Sequence, residues 1–325
     1  MTVELGVVLP ARTRPAPLGF GDLLRIAEDV DANPRWGQLW APDSILALPF
    51  YDSTVLLAAS AARTRRVQLG VACLASLGFR HPVIAAQEWA NLDALSGGRM
   101  ILVACPGNAT GTAVERELAI FGLDYQEKVA RFEEYVEFLR QASSSPGPVN
   151  FSGTYLRAEG IELRPAFAQR PLPIWIVGNP SATAGPKTLD RVLGRVARLG
   201  SGWMTYNVTP GLLRQRAGYL AGLRAGLGRA GGDFPVCVFV NTNLHPDERQ
   251  AQQDAAARWS QQSTRNISVA DLQRVGAIGA PARCADFIAQ LTEAGATHIA
   301  LELLATDPHK QLDLLTEHLL PLLPA

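Results

Sequence analysis

Residues 65–107 constrain the fold more than any other part of the chain, because they form the pattern of a strand, a helix and a second strand. Residues 67–74 are an apolar run of strand length, and apolar residues then recur at spacings of four and three, as a helix with one buried face requires. Gly97 and Gly98 end this helix, and residues 100–105 form another apolar strand. Two strands of one polarity joined by a helix predict a right-handed βαβ unit.

The same alternation runs through all 325 residues without a linker between separate domains. Eight short apolar segments, each followed by a helical segment, are predicted as strands: residues 3–9, 37–41, 67–74, 100–105, 173–177, 202–206, 235–242 and 297–304. This order predicts the α/β class and a (β/α)8 or TIM barrel, as a single domain over residues 1–325. The alternative, an open doubly wound sheet, favours a glycine-rich dinucleotide turn, and no G-x-G-x-x-G follows any predicted strand.

One connection is longer than a barrel requires. Residues 246–279, between the seventh strand and its helix, exceed the length of an ordinary loop. They form either a lid over the active site or a solvated amphipathic helix with a loop, and the sequence favours neither interpretation over the other.

Composition bears mainly on the partners of the protein. Hydrophobic residues make up 47% of the chain, enough for a large core, and 30 basic residues balance 30 acidic ones. Without a basic stripe or a run of like charge, the chain is not expected to bind nucleic acid or a membrane surface. It starts in an apolar strand and has no uncharged apolar run of about 18 residues, so we expect a cytoplasmic protein.

The cysteines show no paired spacing, and three of them lie in predicted strands. The four positions are Cys73, Cys105, Cys237 and Cys284. We therefore expect buried free thiols rather than a special role.

In a barrel of this kind the active site lies at the C-terminal ends of the strands, and here these ends carry few acids or bases. Asp43 follows a strand end, and Glu302 lies within the last strand. The five histidines are scattered, so no metal site is expected. The lysines fall on predicted helices or loops, which disfavours Schiff-base chemistry: Lys128, Lys187 and Lys310. An open mouth with few reactive side chains predicts that a cofactor supplies the chemistry.

Two loops at strand ends permit close approach of a cofactor to the backbone. Residues 178–183 join a strand end to a predicted helix start, where backbone N–H groups and the helix dipole bind phosphate. Residues 106–111 contain glycine and small polar residues in a similar position. For both loops an ordinary turn, with a helix cap after the first, is the alternative interpretation.

Several segments along the chain form a specific pattern: QLWAPDS, TRRVQLGVACL, RHPVIAAQEWANLDALSGGRM, PLPIWIVGN, LGSGW, and AIGAP followed by EAGATHIALEL. In these segments the chain resembles a known family, the luciferase-like monooxygenases, which are barrel enzymes dependent on a flavin or a deazaflavin. The resemblance extends over essentially the whole chain.

The resemblance implies that the barrel mouth binds FMN or, alternatively, coenzyme F420, with the tricyclic ring in the opening. It also implies a non-proline cis peptide bond between Ala72 and Cys73. The cofactor-binding residues that it implies are Asp43, Ala72, Cys73, Ala75, Gly107 and Asn108 for the ring and its side chain, and Gly178, Asn179 and Ser181 for the phosphate.

Two departures from the family pattern bear on the chemistry. Many F420-dependent members carry an Asp-His pair where this chain has Asp43-Ser44, so the imidazole is absent. Sugar-phosphate dehydrogenases of the family carry a glutamate where Asn108 stands, so their chemistry is not expected here. Asp43, Ser44 and Asn108 are the polar residues expected to act catalytically near the ring.

The sequence therefore predicts a flavin-dependent oxidoreductase, a monooxygenase that uses reduced FMN and O2 on a small organic substrate. The alternatives are an F420-dependent hydride transferase, which needs no oxygen, and a non-catalytic flavin-binding barrel. By analogy with the family, the expected partners are a separate flavin or F420 reductase and a second copy of the chain in a homodimer.

Overall fold

The computed structural model describes residues 3–14, 18–262 and 268–324 of the chain. Within them, eight parallel strands pair in chain order and the last pairs with the first, which closes the sheet into a barrel. The strands are β1 Glu4–Val8, β2 Gln38–Ala41, β3 Gln68–Leu74, β4 Met100–Ala104, β5 Val149–Ser152, β6 Arg157–Ile161, β7 Ile174–Val177, β8 Gly202–Tyr206, β9 Val236–Leu244, β10 Ala277–Gly279 and β11 His298–Leu303. All but β5, β6 and β10 belong to the barrel, so the predicted (β/α)8 fold is confirmed.

Helices cover the outside of the barrel and connect its strands. They are α1 Phe20–Ala32, α2 Ser53–Arg63, α3 Pro82–Ser96, α4 Thr112–Ile120, α5 Tyr125–Ser144, α6 Pro186–Leu199, α7 Pro210–Gly226, α8 Glu248–Gln262, α9 Val269–Val275, α10 Pro281–Glu293 and α11 Pro308–Leu314. Helix α3 begins at a proline and ends at Gly97 with φ 71°, as its sequence predicts. Helical structure continues after α11 as a π-helical turn, Leu315–Leu319, and a 3-10 turn, Leu320–Leu322.

The barrel interior is a small apolar cluster with its own aromatic pair. Its members come from all eight barrel strands, and the fully buried ones include Trp40, Ile101, Val103 and Cys237. The rings of Trp40 and Trp175 lie 5.7 Å apart, centroid to centroid. A much larger cluster fills the space between the strands and the outer helices. Large side chains thus fill the lower part of the barrel and leave its C-terminal mouth for other groups.

The long insertion packs against the barrel rather than standing free of it. Its strand β10 pairs in parallel with the end of β9, from Ala277 beside Thr242 to Gly279 beside Leu244. Residues of α8, α9 and β10 form a small buried cluster with Leu304. Of the predicted lid, residues 263–267 lie outside the described residues, and the lid function stays a prediction.

The segment between β4 and β7 contains a two-stranded antiparallel hairpin, β5 with β6. Two proline peptide bonds after this hairpin are cis, at Pro165 and Pro171. Among the described residues, we find no helix that is both long and apolar enough to cross a membrane.

Candidate active site at the barrel mouth

Strand alternation decides which side chains enter the mouth. Phe239 and Ala300 pack in the interior cluster, and side chains two residues further along a strand point the same way. Asn241 on β9 and Glu302 on β11 therefore face the barrel axis one step nearer to the mouth, and the two are neighbours in the strand register. They form the β9–β11 side of the mouth.

Asp43 lies on the opposite side, two residues after β2, and its carboxylate is fully engaged. Its Oδ1 accepts a hydrogen bond of 2.8 Å from Ser53 Oγ at the start of α2. Its Oδ2 accepts one of 2.9 Å from the backbone N–H of Ser76, just after β3. The side chain is buried. Asp43 thus joins the ends of two neighbouring strands and fixes their geometry, whether or not it also contacts a cofactor.

Ser44 and Asn108 are less enclosed than Asp43. Ser44 Oγ accepts a hydrogen bond of 2.9 Å from the N–H of Leu48 and so caps the turn that follows β2. Asn108 is exposed after β4 and forms no side-chain hydrogen bond with a described residue. The structure therefore assigns a local structural contact to Ser44, while the catalytic function predicted for both residues stays a prediction.

Gly107 forms the smooth part of the wall between β3 and β4. Its φ of +74° is a left-handed conformation that favours glycine. A Cβ atom at this position would lie 3.6 Å from the Cβ of Ala75 and 3.0 Å from Lys128 Nζ. Backbone and a methyl group thus form this wall, and a flat ring can approach it closely.

Lys128 on α5 is a mouth residue that the sequence analysis missed. It is only 2% exposed, and its ammonium group lies over the ring of Phe79, 4.0 Å from the centroid. Burial lowers its pKa, while the carboxylates of Glu117 and Asp43 act in the opposite direction. A signal for this position was present, because Lys128 lies four residues before the buried Phe132, on the same face of the helix.

Glu117 on α4 was also missed. It is buried, and its Oε1 accepts hydrogen bonds from the backbone N–H groups of Leu46 (2.8 Å) and Ala47 (3.1 Å). These contacts hold the turn that follows β2 against α4. Like Asp43, Glu117 is a carboxylate whose hydrogen-bond partners belong to the protein; both partners of Glu117 are backbone N–H groups.

Cys73 and Cys105 correct the prediction of four free thiols. They form a disulfide between the end of β3 and the residue after β4, with Cα atoms 6.0 Å apart. Cys237 and Cys284 are free and buried, as predicted. The peptide bond between Ala72 and Cys73 is cis, which confirms that expectation. Ala72, Cys73, Ala75 and Gly107 are thereby brought together at one wall of the mouth.

The predicted phosphate loop follows β7, which is the neighbour of β4 in the sheet. The carbonyl of Gly178 accepts a hydrogen bond of 2.8 Å from Trp203 Nε1, and Asn179 Oδ1 accepts one of 3.0 Å from Thr205 Oγ1. Ser181 is exposed. Ser181 and Ala184 form a turn, and α6 begins at Pro186, so a short turn separates the loop from the helix that follows it.

Arg216 supports this loop from below and was not identified from the sequence. It is buried on α7 and donates hydrogen bonds to the carbonyls of Pro180 (3.2 Å) and Ser181 (2.6 Å). Burial lowers its pKa. Its spacing from Leu213 and Leu220 places it on the apolar face of the helix, which was readable in the sequence. A buried guanidinium next to the loop favours an anion there.

The β9–β11 side of the mouth contains buried polar atoms without a partner. Asn241 donates a hydrogen bond of 3.3 Å to Asn207, but its Oδ1 has no partner among the described residues. The same holds for Nε of Arg12, whose guanidinium lies over the ring of Phe50. Four other buried side-chain atoms among the described residues also lack a partner, including Trp40 Nε1 in the barrel interior, but Asn241 Oδ1 and Arg12 Nε are the two on this side of the mouth, where a ligand can reach them.

Glu302 lies between two arginines on this side. It is half-buried, and burial raises its pKa, against the opposing effect of Arg12 and Arg258. Arg258 belongs to α8, and its electrostatic interaction with Glu302 shows that this helix of the insertion lies near the mouth. Glu302 is the carboxyl group at the mouth that burial favours in its protonated form.

These residues fit a flat, polar-edged cofactor. The wall at Gly107 and Ala75 consists of backbone and a methyl group, with the ammonium group of Lys128 at its edge. Asn241 Oδ1 and Arg12 Nε offer an acceptor and a donor that have no partner among the described residues. The loop at Gly178 and its supporting Arg216 lie at the end of a neighbouring strand, where a phosphate would extend from the ring. No group of His, Cys, Asp and Glu suited to a metal ion occurs in the part of the chain that the structure describes.

A family model described as luciferase-like monooxygenase matches residues 4–298. Among curated relatives, the F420-dependent glucose-6-phosphate dehydrogenase of Kineococcus radiotolerans is 30% identical over 219 residues, which are 65% of this chain and 56% of that protein. The chain therefore spans about half the length of this relative.

Solved structures show the same fold at lower identity. Monooxygenase RslO1 from Streptomyces bottropensis superposes with a TM-score of 0.80 at 23% identity, over 98% of this chain and 99% of that chain. The oxygenating constituent of 3,6-diketocamphane monooxygenase from Pseudomonas putida, a type II Baeyer-Villiger monooxygenase in complex with FMN, gives 0.74 at 15% identity, with complete coverage of both chains. At these identities the likeness establishes the fold.

Proposed function

Since the chain belongs to the luciferase-like monooxygenase family, we propose that it is a flavin-dependent monooxygenase that uses reduced FMN and O2 on a small organic substrate. One observation carries the proposal. A wall of backbone and a methyl group, at Gly107 and Ala75 with the ammonium group of Lys128 beside it, shares a barrel mouth with Asn241 Oδ1 and Arg12 Nε, two buried polar atoms that have no partner among the described residues. A ring with polar edges satisfies both requirements.

Reduced FMN, when bound, supplies the electrons with which O2 is activated for transfer of an oxygen atom. Asn241 Oδ1 would hold the ring as a hydrogen-bond acceptor, and Arg12 Nε would hold it as a donor. The loop at Gly178, Asn179 and Ser181, supported by Arg216, would hold the phosphate; the N–H of Gly178 already donates to the carbonyl of Met204, so the N–H groups of Asn179 and Ser181 are the donors for it.

Glu302 is the residue to which we assign proton transfer. Its raised pKa lets the carboxyl hold a proton nearer to neutral pH than an ordinary glutamate does. Arg12 and Arg258 stabilise its ionised form after the proton has left. Asp43, by contrast, has both oxygens engaged by Ser53 and Ser76, which favours a positioning function.

The second candidate function is F420-dependent hydride transfer to or from a small organic substrate. It is favoured by the sequence similarity to the F420-dependent relative from Kineococcus radiotolerans. The missing imidazole after Asp43 argues against the usual acid-base arrangement of such enzymes, although Glu302 could supply the proton instead. Both candidates use the same mouth and differ in the need for oxygen.

Anaerobic titration of the purified protein with FMN and, separately, with F420 distinguishes them. We expect tight binding of reduced FMN, followed by substrate-dependent consumption of O2. A clear preference for F420, with turnover in the absence of O2, would select the second candidate. Binding of neither would contradict both, and binding without turnover on any substrate class would indicate a non-catalytic flavin-binding barrel.

A matched pair of variants tests the residue assignment. Asn241→Leu removes the unpaired acceptor at the mouth and should weaken cofactor binding by roughly tenfold. Asn91→Leu removes an exposed amide on α3 that contacts its own helix, and should leave the affinity unchanged. Equal affinities for the two variants would contradict the placement of the ring beside Asn241.

The expected partners stay predictions: a separate flavin or F420 reductase, and a second copy of the chain in a homodimer. The cytoplasmic location also stays a prediction. An apolar groove of about 690 Å³ between α2 and α3, bordered by the exposed side chain of Ile84, is the surface where dimer formation should be tested first. Sedimentation of the protein and of the Ile84→Glu variant measures the oligomeric state directly.

A further inference from the structure

We propose that Cys73 and Cys105 form a reversible redox site at the barrel mouth, which opens and closes by thiol–disulfide exchange with an external dithiol. The pair joins β3 to the segment after β4, and its Cα separation of 6.0 Å suits a disulfide. Nothing in the sequence spacing pairs these residues. The fold alone brings them together, at the wall that the proposed cofactor would contact.

The pair lies where the contact between the two strands is weakest. The register between β3 and β4 shifts between Ala72 and Leu74, so Cys73 sits at an irregularity in the ladder. The last paired residues are Leu74 and Ala104, and the hydrogen bond that follows, from Cys105 N to Leu74 O, is long at 3.5 Å. A ladder is locally disrupted at such a bulge, so the disulfide joins β3 to the segment after β4 where the backbone pairing is irregular.

The two cysteine residues differ in exposure to solvent, and this difference determines which sulfur an external thiol attacks first. Cys73 is half-buried, whereas Cys105 is 6% exposed. An external thiolate therefore attacks Cys73 Sγ, and Cys105 leaves as a thiolate that takes up a proton. A second thiol of the dithiol then displaces the mixed disulfide. The dithiol loses two electrons and two protons, and the protein pair gains both; oxidation follows the reverse path.

The other two cysteines are internal references for this site. Cys237 lies inside the barrel, where burial raises the pKa of its thiol strongly, and burial raises the pKa of Cys284 to about 12. Both stay protonated and inaccessible to exchange at neutral pH. A change of redox state that spares these two thiols is therefore specific to the mouth.

The state of the pair should set the affinity for the cofactor, a step that rests on the proposed function. The disulfide joins the segments that carry Ala72, Ala75, Gly107 and Asn108. When it is closed, the wall at Ala75 and Gly107 is preorganised for a flat ring. When it is reduced, the loop after β4 loses its covalent tie to β3, and binding must restore the geometry at a cost in affinity.

The first experiment needs no cofactor. The full-length protein is equilibrated in buffers with graded ratios of reduced to oxidised glutathione, quenched in acid, denatured and alkylated, and its peptides are weighed. We expect Cys73 and Cys105 to convert together within this range, while Cys237 and Cys284 stay alkylated throughout. A pair that stays a disulfide at the most reducing ratio, or never forms one at the most oxidising, overturns the proposal.

Single variants test the uneven access. With oxidised glutathione under native conditions, Cys105→Ser should acquire one glutathione adduct at Cys73. Cys73→Ser should acquire none at the buried Cys105. Equal labelling of the two variants would overturn the assigned course of exchange. Circular dichroism of both variants shows whether they are folded. Glutathione labelling of the wild-type protein during partial reduction also shows which of the two cysteines forms the adduct, without any substitution.

The third experiment measures the dissociation constant of whichever of FMN and F420 binds, for the oxidised and the reduced wild-type protein. We expect binding to be roughly tenfold weaker after reduction. Cys105→Ser should match the reduced protein and should not respond to dithiothreitol. Equal constants in both states overturn the coupling. Absence of binding in both states overturns the proposed function together with the coupling, while the glutathione titration still decides the redox site.

Discussion

The two sides of the barrel mouth differ in the pairing of their carboxylates and amides, although on the β2–β4 side the buried ammonium of Lys128 lies over the ring of Phe79. On the β2–β4 side, Asp43 and Glu117 each accept two hydrogen bonds, and the partners are the backbone or a helix-start serine. On the β9–β11 side, Asn241 and Arg12 each leave a buried polar atom without a described partner. There Glu302 is also held with a raised pKa.

This difference indicates that the β2–β4 side supports the structure of the mouth and that the β9–β11 side carries the groups that act on a ligand. Polar groups whose partners belong to the protein fix the position of the backbone, and a ligand gains little from them. Polar groups that lack partners gain a hydrogen bond only when a ligand binds. They are therefore the groups that can stabilise charge that develops on the ligand during the reaction. Changes on the β2–β4 side should therefore alter stability and the shape of the wall that the cofactor contacts. Changes on the β9–β11 side should alter cofactor binding at Asn241 and turnover at Glu302.

The largest effect is expected for Glu302→Gln. If Glu302 transfers the proton, this near-isosteric change should lower kcat/KM by roughly 10² to 10⁴ while changing cofactor affinity little. Steady-state kinetics and cofactor titration measure both quantities. Glu293→Gln, an exposed position on α10, is the matched control. A kcat/KM for Glu302→Gln within a factor of about three of the wild type would place the reactive group elsewhere.

The pH dependence of stability gives a second view of Glu302. Because burial raises its pKa, the folded protein binds more protons than the unfolded chain between the ordinary pKa and the folded one. The contribution of this group to stability is therefore present at low pH and is lost as the pH rises through its folded pKa. Denaturant unfolding across this range should show that loss in the wild type and a smaller one in Glu302→Gln. Identical slopes for the two proteins would contradict a buried carboxyl at this site.

On the supporting side, the largest effect is expected from removal of the disulfide. The two cysteines are 32 residues apart, and closing a loop of this size stabilises a protein by about 3 to 4 kcal/mol in the chain-entropy model. Cys105→Ser should lower the free energy of unfolding by an amount of this order. Added dithiothreitol should have the same effect on the wild type and none on the variant. A variant as stable as the oxidised wild type would show that the link does not support this side.

The sequence predicts the barrel well because alternation of apolar strands and helices is a local signal. It predicts the cis bond at Cys73 only through family resemblance. The disulfide was missed because Cys73 and Cys105 both lie in apolar runs, and their meeting depends on strand register and on the irregularity at Ala72. The register between two strands cannot be read from the number of residues that separates Cys73 from Cys105 in the sequence.

The candidate site was predicted unevenly for a similar reason. Asp43 and Gly107 follow strand ends, so topology alone brings them to the mouth. Lys128 and Arg216 lie on helices, and their long side chains reach the mouth or its phosphate loop from outside the barrel. A position on the buried face of a helix was the available signal for both. Arg12 gave none, because its contact with the mouth depends on the path of the loop after β1.

Gly107→Ala tests the smooth wall on the supporting side. The substitution places an L-residue at φ +74° and a methyl group 3.0 Å from Lys128 Nζ, so cofactor affinity should fall by roughly tenfold. Gly122→Ala is the matched control, because its φ of +64° imposes similar backbone strain in open space. If both variants lose stability and Gly107→Ala alone loses affinity, crowding of the ring site is the cause. Equal affinities would mean that the ring lies away from this wall.

The smallest effect is expected for Ser44→Ala. The serine hydroxyl accepts one hydrogen bond from an exposed backbone N–H, so its loss should cost about 0.5 to 1.5 kcal/mol of stability and leave kcat within about twofold. Thermal unfolding and steady-state kinetics measure the two quantities, and Ser44→Thr keeps the hydroxyl as a control. A fall in kcat of tenfold or more, with cofactor affinity intact, would make Ser44 catalytic. The reactive region would then extend to the end of β2, and the division between the two sides of the mouth would fail.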